Sequence, residues 1–455
     1  MWKKRKNTPG GQERLFSNRD LRRLLLPLMA EQLLNSLMGT ADSMMVSNVG
    51  PAAISAVSLV DSINILVIQA FYALAAGGAI VCSQYLGQED HKNATETARQ
   101  LLFVVAAIAA AVMTLCLVFR DPLLALIFGS VEADVMEAAR TYFFYTAISF
   151  PFIALYDAGS SVYRAQGNTR LPMTIALISN CLNIAGNAVL IWGFQMGVAG
   201  AAIATLGSRV ISAVAVLIFL RHRDQLLVVR NYRTIRPERR RIVTILSLGI
   251  PNGVENSMFQ FGKLAIQSTV STMGTVAIAA QAMTNILENL NGIAGMGIGI
   301  GMMTVVGQCM GAGRKEEAVY YVKKLTALAE IAVAASCILV YLATGPIMAL
   351  AGMEPESAAL CLFMMGWITL VKPVVWTLSF IPAYGMRAAG DVKFSMLLSA
   401  ATMWLFRVTL CIYLCRVWGF GPMAVWIGMF TDWTIRALAF SWRFASRCWM
   451  RHQVV

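Results

Sequence analysis

Residues 27–87 read PLMAEQLLNSLMGTADSMMVSNVGPAAISAVSLVDSINILVIQAFYALAAGGAIVCSQYLG. At a constant offset of 224 positions and without a gap, residues 251–311 repeat the pattern as PNGVENSMFQFGKLAIQSTVSTMGTVAIAAQAMTNILENLNGIAGMGIGIGMMTVVGQCMG. The shared positions include Pro27/Pro251, Glu31/Glu255, Gly50/Gly274, Ala53-Ile54/Ala277-Ile278, Gly77/Gly301, Gln84/Gln308 and Gly87/Gly311. Apolar composition alone produces chance Ala and Leu matches, but not paired Pro, Glu, Gln and Gly at one spacing. A second match, offset by 223, sets Arg164-Ala165-Gln166-Gly167-Asn168 against Arg387-Ala388-Ala389-Gly390-Asp391. The chain is therefore read as an internal duplication.

Composition says what is duplicated. The 455 residues are 58% hydrophobic and 13% charged, with a mean hydropathy of +0.64. Soluble domains carry about 25% charged residues, so this chain lacks the polar surface a large soluble enzyme needs. A spanning helix takes about 20 apolar residues. Twelve are expected, over 24–46, 54–86, 98–119, 138–163, 171–194, 197–220, 243–270, 276–310, 318–343, 357–386, 394–415 and 421–443. Breaks are expected at Asn48-Val49-Gly50-Pro51, Arg120-Asp121-Pro122, Gly167-Asn168-Thr169-Arg170, Gly345-Pro346 and Glu354-Pro355-Glu356. Six helices per repeat is even, so both repeats enter from one side. Two parallel six-helix bundles then face each other across a cleft about a pseudo-two-fold along the membrane normal.

The net charge of +13 follows the same plan. Lys and Arg gather at the N-terminus, the even-numbered loops and the C-terminus, whereas the odd-numbered loops hold Arg120 and Arg416. This positive-inside pattern places both termini in the cytoplasm and argues against nucleic acid as a partner. The expected divisions are a basic segment at 1–20 lying on the anionic inner leaflet, an N-lobe at 21–221, a basic linker at 222–242, a C-lobe at 243–445 and a tail at 446–455. No short apolar stretch with a cleavage site follows the basic start, so no signal peptide is read.

A charge within a spanning helix costs several kcal/mol unless it has a partner or a task. The first half carries Glu31 and Asp42 on helix 1, Asp61 on helix 2, Asp157 on helix 4 and Arg209 on helix 6. Helix 5 carries Asn180, Asn183 and Asn187, the last two one turn apart and on one face. A lone intramembrane Asp reads as a carboxylate that takes up a proton or binds Na⁺, or else as a helix-packing hydrogen bond. Glu31 and Glu255 each follow a proline by four residues, so they also read as carboxyls satisfying freed backbone groups. The second half carries Glu255 and Lys263 on helix 7, Glu288 on helix 8, Lys372 on helix 10, Arg407 on helix 11 and Asp432 on helix 12. Lys263 with Glu288 is the expected ion pair, and Asp432 with Arg436 the expected i,i+4 pair. The set Glu255, Lys263, Glu288 and Lys372 forms a candidate C-lobe polar site. Scattered cysteines and three histidines, His91, His222 and His452, all in polar connections, give no metal or His-based catalytic centre. The 26 methionines suit a promiscuous apolar cleft.

Several motifs taken together resemble the multidrug and toxic compound extrusion (MATE) family. They are Gly39-Thr40-Ala41-Asp42-Ser43-Met44-Met45-Val46-Ser47, Gly50-Pro51-Ala52-Ala53-Ile54-Ser55-Ala56 and Tyr163-Arg164-Ala165-Gln166-Gly167-Asn168-Thr169. Gly197-Val198-Ala199-Gly200-Ala201-Ala202-Ile203-Ala204-Thr205 opens helix 6, and Trp404-Leu405-Phe406-Arg407-Val408, Trp426-Ile427-Gly428-Met429 and Asp432-Trp433 follow in the second half. The resemblance spans about 20–445. It implies an antiporter that exports organic, usually cationic, compounds in exchange for H⁺ or Na⁺, with no cofactor. Residue by residue, the family's helix 1 Asp is similar to Asp42, its helix 5 Asn and Asp to Asn183 and Asn187, and its helix 6 Thr to Thr205. The family's helix 5 Asp is Asn187 here, and a helix 4 position that is commonly Asn is Asp157. The second carboxylate of the ion site is therefore expected to have moved from helix 5 to helix 4. Helix 10 carries Lys372 and no internal acid, unlike members that couple through acids on helices 7 and 10, so coupling is expected in the N-lobe.

The alternatives are a flippase of a lipid-linked precursor, which favours a strongly cationic cleft, and a membrane-embedded enzyme, which needs clustered acids or histidines at the aqueous boundary. A channel would more usually be a symmetric oligomer. The reading is a monomeric, non-enzymatic transporter whose partners are small organic substrates and membrane lipids.

Overall fold

The computed structural model describes residues 14–129, 131–222, 225–230, 232, 235–452 and 454–455, with the side chains of Thr40, Ser43 and Ser47 excepted. The basic segment expected at 1–20 therefore falls outside the described residues up to position 13, as do parts of the 222–242 linker.

The described chain is almost wholly helical. The first half holds α1 (Asn18–Ser47), α2 (Pro51–Gly87), α3 (His91–Val118), a short α4 (Arg120–Phe128), α5 (Ala133–Ile148), α6 (Phe150–Ala165), α7 (Arg170–Asn187) and α8 (Gly197–Leu220). The second half holds α9 (Arg239–Val270), α10 (Thr275–Gly311), α11 (Lys315–Leu350), α12 (Pro355–Ala388), α13 (Val392–Thr402), α14 (Thr409–Val417) and α15 (Met423–Ala445). Wider π-helical turns continue α7 over Ala188–Gly193 and join α13 to α14 over Met403–Val408. Leaving the nine-residue α4 aside, and counting α5 with α6 and α13 with α14, these make twelve passes in two six-helix lobes.

Local chemistry explains most boundaries. Ser17 and Asp20 form a reciprocal capping box that satisfies two N–H groups at the start of α1. Pro51 begins α2, where a missing N–H is harmless, and Gly50 supplies the turn before it with φ 138°. One expected break is missing and one observed break was not expected. Gly345-Pro346 does not end the ninth pass, because α11 runs through Pro346 to Leu350. The fourth pass is instead interrupted at Ser149, where Pro151 forces a restart.

Eight helical stretches among the described residues are apolar and long enough to cross a membrane. The passes that fall short, α1, α5–α6, α9 and α15, carry Glu31 and Asp42, Asp157, Glu255 and Lys263, and Asp432 and Arg436. In α1, α9 and α15 the intramembrane polar residues dilute the hydropathy, whereas α5 and α6 are each only 16 residues long because the pass is broken at Ser149.

Each lobe has its own core, but the leading helices exchange. Leu21, Leu24, Leu25 and Leu28 at the start of α1 pack into the C-lobe core. Ile245 at the start of α9 packs into the N-lobe core. The lead-ins cross likewise. Leu15 N donates to Glu317 Oε2 on α11 at 2.9 Å, and Phe16 N donates to the Tyr321 hydroxyl at 3.0 Å. Ahead of α9, Gln100 on α3 donates to Arg236 O at 2.7 Å and accepts from Glu238 N at 3.1 Å.

The lobes meet most closely near the end of the molecule that bears the described chain ends and the linker. A Cβ at Gly311 would lie 1.9 Å from Gln84 O, and one at Gly87 would lie 2.1 Å from Gln308 O, so only glycine permits this crossing of α2 and α10. Gln84 Nε2 donates to Ala388 O at 2.8 Å, and Gln308 Nε2 donates to Ala165 O at 2.8 Å. The duplicated glutamines of the sequence thus make reciprocal bonds across the seam. Further along, Gly77 abuts Gly249, Gly297 abuts the Met29 backbone, and Asn256 Nδ2 donates to Gln69 O at 3.5 Å.

Candidate functional site

In the N-lobe, α1, α7 and α8 bring their polar groups to one point. Asn187 Nδ2 donates to Asp42 Oδ1 at 2.6 Å and to Asn183 Oδ1 at 3.1 Å. Asn183 Nδ2 in turn donates to Thr205 Oγ1 on α8 at 3.2 Å. Asn183 and Asn187 are both buried, while Asp42 and Thr205 are half-buried. The four-residue spacing of the asparagines puts both amides on one face of α7, just ahead of its π turn. Asn187 Oδ1 is buried without a hydrogen-bond donor. The arrangement therefore offers one carboxylate and spare oxygen lone pairs, a set that suits a proton on Asp42 or a small hard cation.

Asp61 is held separately, accepting from Asn64 Nδ2 at 3.1 Å and from the Tyr142 hydroxyl at 3.3 Å. Arg209 donates to Ser149 Oγ at 2.7 Å where the fourth pass is interrupted. Asp157 is buried with Oδ2 unpartnered, and it makes no hydrogen bond to Asp42, Asn183, Asn187 or Thr205. Its charged surroundings are Arg164, Glu31 and Arg209.

Glu31 is not occupied with backbone freed by Pro27. Arg164 Nη2 donates to Glu31 Oε1 at 2.5 Å, and both side chains are almost wholly buried. The C-lobe repeats the pair: Arg387 Nη2 donates to Glu255 Oε1 at 2.6 Å, with Ser395 Oγ 3.2 Å from the other carboxylate oxygen. The arginine partners were present in the sequence as the match offset by 223, one residue short of the glutamate offset. The sequence reading placed Arg164 and Arg387 in loop motifs and did not pair them.

The expected Lys263–Glu288 pair does not form. Glu288 is taken by Lys372, whose Nζ donates to its carboxylate and, at 2.7 Å, to its backbone carbonyl. The reason is helix packing: α12 lies along α10, whereas α9 touches α10 only marginally. Lys263 instead points over the Phe259 ring, 5.2 Å from its centroid. Glu255, paired with Arg387, stands apart from Lys263, Glu288 and Lys372. Asp432 is shared, lying 3.2 Å from Arg436 and 3.8 Å from Arg407. Glu330 on α11 is a further acid within a pass that the sequence reading did not single out.

A family model, MatE, matches residues 27–189 and again 251–413, one match per lobe. The uncharacterized transporter YisQ of Bacillus subtilis is 26% identical over 435 residues, covering 94% of each chain. A probable multidrug resistance protein, NorM, of Thermotoga maritima is 25% identical over 452 residues, covering 96% of this chain and 94% of its own. Among solved structures, an outward-facing multidrug resistance MATE family transporter of the MOP superfamily superposes with a TM-score of 0.82 at 19% identity. That alignment covers 96% of this chain and 97% of the other. With the repeat, the two lobes and the buried polar centres in agreement, the chain belongs to the MATE family of multidrug efflux transporters and is a polytopic membrane transporter, not an enzyme.

Proposed function

We propose that this protein is a secondary active antiporter that exports amphipathic organic compounds in exchange for H⁺ or Na⁺, coupling in the N-lobe. The observation that carries the reading is the hydrogen-bonded chain from Thr205 through Asn183 and Asn187 to Asp42. A carboxylate held by a neutral amide within the bilayer changes its charge when a proton or Na⁺ arrives, and so changes the desolvation cost of closing the cleft around it. Asp42 accepts the ion; Asn187, Asn183 and Thr205 orient it. Asp157, buried beside Glu31 and Arg164, is a further carboxylate of the lobe, apart from this hydrogen-bonded chain. Asp61 is a further acid on the same side of the lobe.

In this reading the described chain ends and the linker lie in the cytoplasm of a bacterial inner membrane, an orientation that the positive-inside distribution supports. The seam at Gln84, Gln308, Gly87 and Gly311 then closes the cytoplasmic end, and the cleft faces outward. Alternating access consists of releasing this seam while the opposite ends come together. The protein acts as a monomer within its lipids and carries no resident cofactor.

The test uses purified protein in liposomes loaded with organic compound, with a pH gradient or a Na⁺ gradient imposed in turn. Export driven by one gradient and abolished in Asp42→Asn is the expected result. Coupled export that survives Asp42→Asn rejects N-lobe coupling and transfers attention to Glu255, Lys263, Glu288 and Lys372.

A further inference from the structure

In the C-lobe, Lys263, Lys372, Arg407 and Arg436 approach one another within the membrane passes around the aromatic side chains Phe259, Trp376 and Phe380. Phe259 and Phe380 meet edge to face at 6.4 Å, and Trp376 and Phe380 lie 5.2 Å apart. Three cations crowd the Phe259 ring: Arg407 at 5.0 Å, Lys263 at 5.2 Å and Arg436 at 5.8 Å from its centroid.

The acids among them do not suffice. Glu288 is consumed by Lys372, and Asp432 makes its hydrogen bonds to Arg436. Among the described residues, Lys263 has no carboxylate partner, and its side chain is exposed on the face of α9. Arg407 is 4% exposed, yet its Nε and Nη1 have no hydrogen-bond acceptor, with Asp432 no nearer than 3.8 Å. A buried guanidinium with idle donors is expensive to hold. Arg407 also lies in the π-helical stretch Met403–Val408, a local departure from α geometry that is frequent at functional positions. The idle donors, the unpaired amine and the ring between them together describe half of a binding site. The missing half is an anion attached to an apolar body.

We propose that Lys263 and Arg407, about the Phe259 ring, bind the anionic group of an amphipathic cargo, a carboxylate, sulfonate or phosphate, while the aromatic cluster takes its apolar part. The inference rests on the export reading above and departs from the cationic cargo that the family resemblance implies. Cation and aromatic face reinforce each other here: the ring holds the two positive groups in place, and the incoming anion supplies the acceptors they lack. A free organic anion and the headgroup of an anionic lipid share this chemistry.

The full-length protein is tested with two radiolabelled probes of similar apolar character and opposite charge, naphthalenesulfonate and tetraphenylphosphonium. Equilibrium binding is read in neutral detergent, and gradient-driven transport in phosphatidylcholine vesicles. The expected result is naphthalenesulfonate binding to the wild type that weakens about tenfold in Lys263→Gln and in Arg407→Gln. Lys263→Glu shifts the preference toward tetraphenylphosphonium. Arg407→Gln leaves Asp432 paired with Arg436, and Lys263 is exposed, so both variants keep the fold; thermal unfolding checks this. Asp42→Asn separates the two proposals, because it abolishes coupled transport of either probe while leaving sulfonate binding in detergent intact. Phosphatidylglycerol that competes with the sulfonate in the wild type identifies a lipid headgroup as the occupant, and an absence of competition identifies a free organic anion. The proposal is overturned if the wild type does not bind naphthalenesulfonate, or if Lys263→Gln and Arg407→Gln both bind it as the wild type does.

Discussion

In the N-lobe, the intramembrane acids Glu31, Asp42, Asp61 and Asp157 are served by two arginines, Arg164 and Arg209. In the C-lobe the balance reverses: Lys263, Lys372, Arg387, Arg407 and Arg436 meet Glu255, Glu288, Glu330 and Asp432. The duplication has nevertheless kept one set of features in register. Glu31–Arg164 and Glu255–Arg387 are ion pairs at matching places, and Gln84 and Gln308 bond reciprocally across the seam. What stayed symmetric is one ion pair inside each lobe and the bonds that join the lobes at the seam; what diverged lies in the middle of each bundle. A closure about a two-fold axis needs matching surfaces on both sides, whereas an ion and an organic compound need different chemistry. The difference between the lobes therefore separates shared mechanics from divided labour.

The largest expected effect tests how alike the two ion pairs are. Arg164→Met leaves Glu31 buried and unpaired, and should cost about 3–5 kcal/mol of stability. Arg387→Met should cost less, about 1–3 kcal/mol, because Ser395 still donates to Glu255 and the C-lobe pair is more exposed. Thermal unfolding in detergent, with Glu31→Gln/Arg164→Met recovering most of the loss, reads the comparison. Equal losses in the two lobes would show that burial does not govern these pairs.

Next come the crossing glycines. Gly311→Ala and Gly87→Ala each push a methyl into a facing carbonyl oxygen, and should weaken the closed seam by about 1–3 kcal/mol. Cysteines placed across the seam and cross-linked in the membrane should then react more slowly in both variants. A change in only one would break the pseudo-two-fold reading of the closure.

Smaller effects are expected from the glutamines. Gln84→Ala and Gln308→Ala each remove one bond to a backbone carbonyl, and should lower stability by similar amounts of about 1 kcal/mol. Denaturant titration of the pair of variants compares them directly.

The smallest effect lies outside the membrane, where the symmetry fails. Asp90 caps α3 by accepting from Asn93 N at 3.0 Å, while the corresponding cap of α11 is Arg314. The backbone N–H and the side chain of Asn93 hold the Asp90 carboxyl below its ordinary range. Its support for α3 is therefore full above the unfolded value and is lost as pH falls through the lowered one. Amide exchange in the first turn of α3, corrected for its intrinsic pH dependence, should quicken on acidification, with no matching change in α11.

Much of the site was legible because it is local. Asn183 and Asn187 share a face by spacing alone, and Asp42 is conspicuous as an acid in an apolar run. The pairings were not legible: Lys263 and Glu288 looked complementary, yet Glu288 meets Lys372 because α10 and α12 pack together. Asp157 offered a second carboxylate by charge counting, but its position in α6 sets it beside Glu31 and Arg164, without a hydrogen bond to Asp42.

By itself the sequence determined that this chain spans a membrane, that it is built twice, and which charges sit in its passes. Hydropathy, repeat spacing and helical periodicity are properties of neighbouring residues, and they survive without knowledge of the fold. Only the tertiary structure decided which charges neutralise each other, where buried guanidinium donors stay idle, and which ends of the lobes meet. Those outcomes depend on which helices pack side by side and at what height, and a buried charge is priced by the groups that three-dimensional packing brings within a few ångströms of it.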